Sequence, residues 1–563
     1  MTSVSAAVAH SVLNVTDVVF GIMGNGNAHV VSELTRGGVR YISARHEGGA
    51  VAMADAYFRA SGRVSVATTT YGPGFTNTLT ALGEAAQARI PLILLTGGVP
   101  VSGARRWDVD QVTMAGAAGV ETLTITVENA QHVVAHAARR AHLERRPLVL
   151  SLPYDVGLLE VDDAVDDPFP ELDVESLAPP EGDLDYLVKA LSEAERPLLV
   201  LGRGAVLAGA TEIIRDIGDA IGGLFATSVM ARNALDSPWD LGIAGGFSRG
   251  TRYQRIAEAD VVVAFGASLN MFQTRHGKLF AGAHTVVSVS LEAPIQDGVV
   301  QRYIEADAYA AALALRERVR ARYPEGRSTW RDTLNAEDWA LDHLVKDGDE
   351  VEISADGRLD PRPFARELNR ILPRERIVVQ DGGHFLGWFP MYADIPDPYS
   401  LVMSGTAFQV IGLGFPFGVG AAAAQPDRLA VLVSGDGGGL MALPDLETFI
   451  RETRRGVVVV FNDAAYGAEL HQYASRGLDP KAMQIDEVDF AAVGRALGAD
   501  GIKARSLSDL GVLAEWLSAG DEGVFVLDLP ISKSVVATYM AEAAGLREHG
   551  RDGKSLWSGS YLG

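Results

Sequence analysis

Apolar residues in this chain gather into short uninterrupted runs, each closed by a polar or glycine-rich turn. Residues 429–433 (LAVLV) and 457–461 (VVVVF) are the purest of these, and 148–150 (LVL), 198–201 (LLVL), 261–265 (VVVAF), 377–379 (IVV) and 524–527 (VFVL) repeat the pattern. Runs of this length without polar alternation predict strands buried on both faces of a parallel sheet. Helical stretches lie between them. One begins at Arg45-His46-Glu47-Gly48-Gly49-Ala50 and is rich in alanine, another begins near Pro444, and Asp360-Pro361 reads as a helix start.

The runs fall into three blocks. The first ends in 146–153 (RPLVLSLP), and an acidic, proline-rich stretch, 162–183, follows as a linker. The second opens with 196–202 (RPLLVLG) and ends in the polar region 323–358; the third starts near Asp360 and has its last strand at 524–530 (VFVLDLP). The echo between 148–153 and 524–530 suggests that the first and third blocks are structural relatives. A length of 563 residues fits about three to four domains.

Composition narrows the class. With 47% apolar residues and 61 glycines the chain can build several cores, and a net charge of −23 without a basic block argues against nucleic acid or an anionic membrane as partner. The absence of cysteine removes disulfides, thiolate nucleophiles and Cys-ligated zinc. No basic leader and no apolar stretch of about 18 residues is found, so a cytoplasmic location is expected.

The chemistry concentrates after the two purest strands. One is followed by Gly435-Asp436-Gly437-Gly438-Gly439 and the other by Asn462-Asp463-Ala464-Ala465-Tyr466-Gly467. Both loops therefore lie at carboxyl ends of parallel strands, the edge at which open α/β sheets bind ligands. Mg²⁺ takes oxygen ligands and commonly combines one or two carboxylates with phosphate oxygens. Asp436 and Asp463 supply such carboxylates, and the glycines let backbone amides approach a phosphate. Either loop alone is an ordinary turn; together, in this order and spacing, they predict a clamp for a metal-bound diphosphate.

With both loops in place the chain resembles, over almost its whole length, the thiamine-diphosphate-dependent family that includes acetolactate synthase, pyruvate oxidase, benzoylformate decarboxylase and benzaldehyde lyase. The resemblance implies an α/β fold of three doubly wound parallel-sheet domains: pyrimidine-binding 1–160, central 185–325 and diphosphate-binding 358–545, with a tail 546–563. It implies thiamine diphosphate and Mg²⁺, with Asp436, Asp463 and the carbonyl of Ala465 as metal ligands. Most relatives have Asn where Asp463 stands, so the ligand oxygen is kept and a negative charge is added. Gly435, Gly437, Gly438 and Tyr466 fall on the cofactor-binding signature, and 380–385 (QDGGHF) matches a second diphosphate loop, giving Gly382, Gly383 and His384 as contacts. Ile411, just before the glycine-rich helix start at 412–416, matches the apolar residue that supports the bent cofactor.

Glu47 matches the glutamate that touches the pyrimidine ring, where a carboxylate drives the imino tautomer needed for proton removal; taken alone, a glutamate at a helix start is better explained by the helix dipole, and only its pairing with the downstream clamp reverses that. Asn25, in the turn after the first strand, and Gln111 match substrate-side polar positions. The stretch 71–77 (YGPGFTN) resembles an acetolactate-synthase loop, and 110–115 (DQVTMA) resembles benzaldehyde lyase; the paired histidines of pyruvate decarboxylase are missing. Glu469 falls where pyruvate decarboxylases carry a catalytic acid, acetolactate synthases an apolar residue and benzaldehyde lyase a hydroxyl. The R-F-D-D segment of flavin-bearing relatives is absent from 265–278, which argues against FAD.

The implied function is carbon–carbon bond formation or cleavage on 2-oxo acids, aldehydes or ketones through an enamine intermediate, as an acetolactate-synthase-like carboligase. A non-oxidative 2-oxo acid decarboxylase or an acyloin lyase is the alternative, and a non-catalytic scaffold subunit is the alternative of another class. A nicotinamide-dependent Rossmann enzyme would need a dinucleotide fingerprint that the chain lacks. The family architecture implies a homodimer or homotetramer with the active site at the subunit interface.

Overall fold

In the computed structural model, residues 2–162, 167–172, 176–294, 298–327 and 330–543 are described. The expected tail 546–563 lies outside them. Three six-stranded sheets account for the apolar runs, and every strand pair within them is parallel.

The first sheet runs in the spatial order Arg40–Ser43, Val18–Gly21, Ser65–Thr69, Leu92–Gly98, Leu148–Pro153, Glu121–Thr124. The third runs Leu401–Met403, Arg376–Gln380, Leu429–Gly435, Arg455–Asn462, Gly523–Pro530, Asp500–Lys503. Counted along the chain, the two orders are identical, and each domain's last strand is inserted beside an edge strand. The echo between 148–153 and 524–530 thus marks equivalent places. The central sheet differs: Asp240–Ile243, Leu224–Thr227, Pro197–Leu201, Val261–Phe265, Thr285–Ser290, Arg302–Glu305. Its strand direction of growth reverses between Pro197–Leu201 and Val261–Phe265, the arrangement that opens a crevice at the carboxyl ends of those strands.

Polar positions beyond the central sheet conceal part of its core. Within the polar stretch 323–358, Trp330 and Trp339 are buried beneath the strands, with Trp339 Nε1 donating to Pro238 O at 3.2 Å. The helix start at Asp360 is as expected: the Asp360 side chain accepts from Arg362 N, and Pro361–Ile371 follows. A helix expected near Pro444 runs over Leu443–Glu452, and a short one, Asp436–Met441, precedes it.

First and third domains meet along two helices. Glu47–Ser61 starts with the His46 side chain accepting from Gly48 N and ends at Gly62, whose φ of +70° suits glycine. From Gly48 to Ala60 every residue is buried, most of them small or apolar, with the charged Asp55 and Arg59 one turn apart and paired with each other. Its partner is Gly414–Ala424. A methyl group at Gly420 would strike the Met53 carbonyl, so the two backbones touch without side chains between them. Beside this contact Arg59 is buried between Asp55 and Glu84, and Glu84 also accepts from Phe408 N at 2.9 Å, which ties the first domain to the loop before Gly414. No helix among the described residues is long and apolar enough to cross a membrane.

Candidate active site

Register places the two acidic loops side by side. Gly435 pairs with Phe461 on the neighbouring strand, so Asp436 and Asp463 leave adjacent strand ends together. Both carboxyls are buried, and Asp436 Oδ2 has no hydrogen-bond partner. Burial raises the pKa of each, and for Asp436 the charge of Asp463 raises it further. Two buried acids that must share protons are a site in want of a cation.

The loop after Asp463 is fixed from several sides. Ala465 N donates to Asp463 Oδ1 at 3.1 Å, and Ala464 adopts a φ of +53°. Its carbonyl accepts from Ile485 N at 3.1 Å and from Lys533 Nζ at 3.0 Å. Asn462 turns away from the carboxylates: its Nδ2 donates to Asp528 Oδ1 at 3.0 Å and to Val488 O at 2.9 Å, while its own carbonyl accepts from Arg358 Nη2 at 2.7 Å. Burial pushes the Asp528 carboxyl up to about 6. Lys533 and Arg358 favour the charged form of Asp463.

A second loop closes over the pair. After Arg376–Gln380, Gly383 takes a φ of +141° and His384 turns inward to 3% exposure, its Nδ1 3.7 Å from Asp463 Oδ2. Neither ring nitrogen of His384 has a hydrogen-bond partner, and burial pushes its pKa down to about 4. His471, whose ring centre lies 4.5 Å away, is also pushed to about 4 by burial and then by His384. Asp381, at the base of the loop, accepts from Gly382 N and Ser404 Oγ at 2.8 and 2.9 Å.

One narrow cavity gathers these groups. Gly382, Gly383, His384, Ile411, Gly435, Asp436, Gly437, Gly438, Asp463, Ala465, Tyr466 and Glu469 all line it. Ile411 lies beside Gly382 and against Gly438, where a β-carbon would press on it, and Tyr466 lies against Gly437. Among the described residues no group of three or more His, Cys, Asp or Glu side chains could hold a metal unaided. Two carboxylates and a backbone carbonyl therefore need oxygens from elsewhere, which is the incomplete donor set that suits Mg²⁺ bound together with a diphosphate. The orphaned Asp436 Oδ2 and His384 nitrogens fit the same ligand: the metal for one, phosphate oxygens for the other.

The remaining candidates stand elsewhere, beyond the carboxyl edge of the first sheet: Asn25 in a turn, Glu47 and Gln111 at helix starts. Glu47 Oε2 accepts from Asn77 Nδ2 at 2.9 Å, and the exposed Asn25 donates from Nδ2 to Tyr71 Oη at 2.8 Å. Gln111 is buried, with Nε2 donating to Gly97 O at 3.2 Å. None of the three lines the clamp cavity. Sequence reading missed Asp381, His471, Arg358, Asp528 and Lys533. Asp381 stood in view beside Gly382; the other four are brought to the loop only by tertiary folding.

A larger cavity, about 500 Å³, opens at the carboxyl end of the central sheet and meets the clamp at Gly382. Arg203 and residues 266–268, 270, 272 and 273 of the stretch where flavin-bearing relatives carry R-F-D-D line it.

Three family models match along the chain: thiamine pyrophosphate enzyme, N-terminal TPP binding domain, over residues 3–118; central domain, over 184–310; and C-terminal TPP binding domain, over 381–528. A sulfoacetaldehyde acetyltransferase of Castellaniella defragrans is 27% identical, covering 91% of this chain and 89% of that protein. The acetolactate synthase large subunit of Parasynechococcus marenigrum is 28% identical, covering 86% and 81%. Among solved structures, the thiamine diphosphate-dependent 4-hydroxybenzoylformate decarboxylase of Rhodococcus jostii RHA1 superposes with a TM-score of 0.74 at 20% identity, covering 94% of this chain and 99% of that one.

Proposed function

As the chain belongs to the thiamine pyrophosphate enzyme family, we propose that it forms or breaks a carbon–carbon bond beside the carbonyl of a 2-oxo acid, aldehyde or ketone, with carboligation of the acetolactate-synthase type as its main outcome. The observation that carries this reading is the buried Asp436–Asp463 pair, short of a cation and walled by glycine backbone and Ile411. Thiamine diphosphate, when bound, supplies the carbanion-stabilising chemistry. The Asp436 and Asp463 carboxylates and the Ala465 carbonyl hold Mg²⁺. Gly382, Gly383, His384, Gly435, Gly437 and Gly438 border the diphosphate, with His384 donating as a neutral imidazole. Ile411 and Tyr466 exclude water and fix the cofactor's pose.

Glu47 holds a proton at its carboxyl against the pyrimidine edge. Because the clamp is lined by third-domain residues alone, Glu47 reaches it from a second copy of the chain, in a cytoplasmic homodimer or homotetramer. Asn25, exposed on the same first-domain edge, orients the substrate carbonyl. Gln111 sits behind that edge as a further polar contact. Glu469 moves protons to and from the reacting substrate. No flavin enters this proposal, and flavin absorbance in the purified protein would overturn that part of it.

Glu469 also favours the second reading, a 2-oxo acid decarboxylase or acyloin lyase, because an acid at that position can protonate and release an aldehyde. Incubation with pyruvate, thiamine diphosphate and Mg²⁺ separates the two. Acetolactate supports the first and acetaldehyde the second; neither product would remove pyruvate as donor. Failure to bind the cofactor in calorimetry would leave the scaffold role.

A further inference from the structure

The geometry points to Lys533 as a positioning residue of the metal loop: from the segment after the last strand it grips the Ala464 carbonyl and supplies the positive charge that Asp463 calls for. The inference rests on reading Asp436 and Asp463 as metal ligands.

Ala464 stands between the two metal-binding positions that leave the strand Arg455–Asn462, Asp463 and Ala465. Its φ of +53° lies in the left-handed region, where a β-carbon crowds the backbone and glycine or asparagine is the usual occupant. Such a conformation persists only where the surroundings over-determine it. Here the over-determination is visible. Lys533 Nζ and Ile485 N both donate to the Ala464 carbonyl, at 3.0 and 3.1 Å, and Ala465 N holds Asp463 Oδ1 at 3.1 Å.

Of these contacts only Lys533 brings charge. Arg358 holds the adjacent Asn462 carbonyl at 2.7 Å, but its charge is shared with Glu487 in an ion pair of 2.5 Å. Among the described residues Lys533 forms no ion pair with a carboxylate, so its charge acts on the loop undivided. Where most relatives carry a neutral Asn at this position, this chain places a second carboxylate against Asp436, and a cation one residue away from it along the loop offsets the repulsion.

The two roles, holding a strained carbonyl and offsetting a charge, can be separated. The measurement is Mn²⁺ affinity of the assembled full-length protein with thiamine diphosphate present, read from the electron paramagnetic resonance of free Mn²⁺, with thermal melting as the control for folding. Lys533→Met is expected to weaken Mn²⁺ by roughly 10–100-fold, the range for losing a group that orients a metal ligand. Lys533→Arg, which keeps the charge and a donor, stays near wild type. In an Ala464→Gly background, where the left-handed turn no longer needs holding, Lys533→Met costs less; in an Asp463→Asn background, where the extra charge is gone, it also costs less. Unchanged affinity in Lys533→Met overturns the proposal and leaves the metal site standing. An undiminished loss in both backgrounds overturns it too. Absence of Mn²⁺ binding by the wild-type holoprotein would instead overturn the metal site itself, and the role of Lys533 with it.

Discussion

In the first domain the loops beyond the strands present side chains that are already bonded within the chain, Asn25 to Tyr71 and Glu47 to Asn77. In the third domain, on a sheet of the same strand order, the loops present Asp436 Oδ2 and both ring nitrogens of His384, buried without a partner. Leaving a buried polar group unpaired costs about 1–3 kcal/mol, a cost that a ligand at the third edge would remove and that these first-edge side chains do not carry. Topology did not decide this, since it is common to both. The difference lies in which side chains follow each strand: carboxylates after Leu429–Gly435 and Arg455–Asn462, amides and hydroxyls after Val18–Gly21 and Ser65–Thr69, with glycines at both edges. In the function proposed above, the third sheet holds the metal-bound diphosphate and its counterpart supplies side chains that act on what is bound.

The sharpest way to break this contrast is to remove one acid from the binding edge. Asp436→Asn should abolish measurable thiamine diphosphate and Mg²⁺ binding in calorimetry; retained affinity would mean that the third edge is not the binding half. On the acting edge, Glu47→Gln should leave cofactor affinity within a few-fold while turnover falls by about 10²–10⁴, the usual contribution of a positioned acid or base. Equal losses of binding and turnover would erase the distinction between the edges.

A smaller effect is expected at Glu469, which lines the clamp cavity and in the proposed function moves protons. Glu469→Gln should lower the share of aldehyde relative to carboligation product from pyruvate, measured by chromatography. An unchanged ratio would place Glu469 outside the proton path. The smallest effect concerns pH in the protein without ligands. Asp436 and Asp463 have raised values when folded, so they bind protons more tightly folded than unfolded. Their contribution to stability is complete below the unfolded value of about 4 and is lost as pH rises through the folded values. His384 and His471, lowered to about 4, act in the opposite sense: their contribution is present above about 6.5 and lost as pH falls. The difference in melting temperature between wild type and Asp436→Asn isolates the acids. It should turn against wild type as pH rises from about 4 toward neutrality and reverse when Mg²⁺ and thiamine diphosphate are added.

Much of this architecture can be read from local pattern. The buried strands at 429–433 and 457–461, the helix start at Asp360 and the adjacency of Asp436 and Asp463 all follow from apolar runs and the loops that close them, because strand burial and turn chemistry are local signals. What could not be read depends on distant contacts. Strands Leu224–Thr227 and Asp240–Ile243 are only four residues long, the second with no apolar run at all, and Trp330 and Trp339 lie in a stretch whose composition looks like a linker. His471 gained its place only when its helix brought it to His384, and Lys533 only when the segment after the last strand returned to the metal loop. The sequence named Gln111 beside Asn25 as equals; burial separates them, since one amide is spent on the Gly97 carbonyl and the other is exposed.

The bare contact between Met53 and Gly420 also bears on how the chain reaches its native state. The helices that meet there are separated by the whole central domain, and Gly49 is pressed as closely by the Asp445 carboxylate, so neither glycine leaves room for a side chain of its own. Contacts between such distant residues close last and slow folding, since loop entropy is lost before they reward it. During synthesis the first domain emerges with its apolar helix Glu47–Ser61 lacking the third-domain helix that covers it. That exposed helix is the surface a chaperone would meet, and the interval before residue 420 is made is when aggregation competes most strongly with folding.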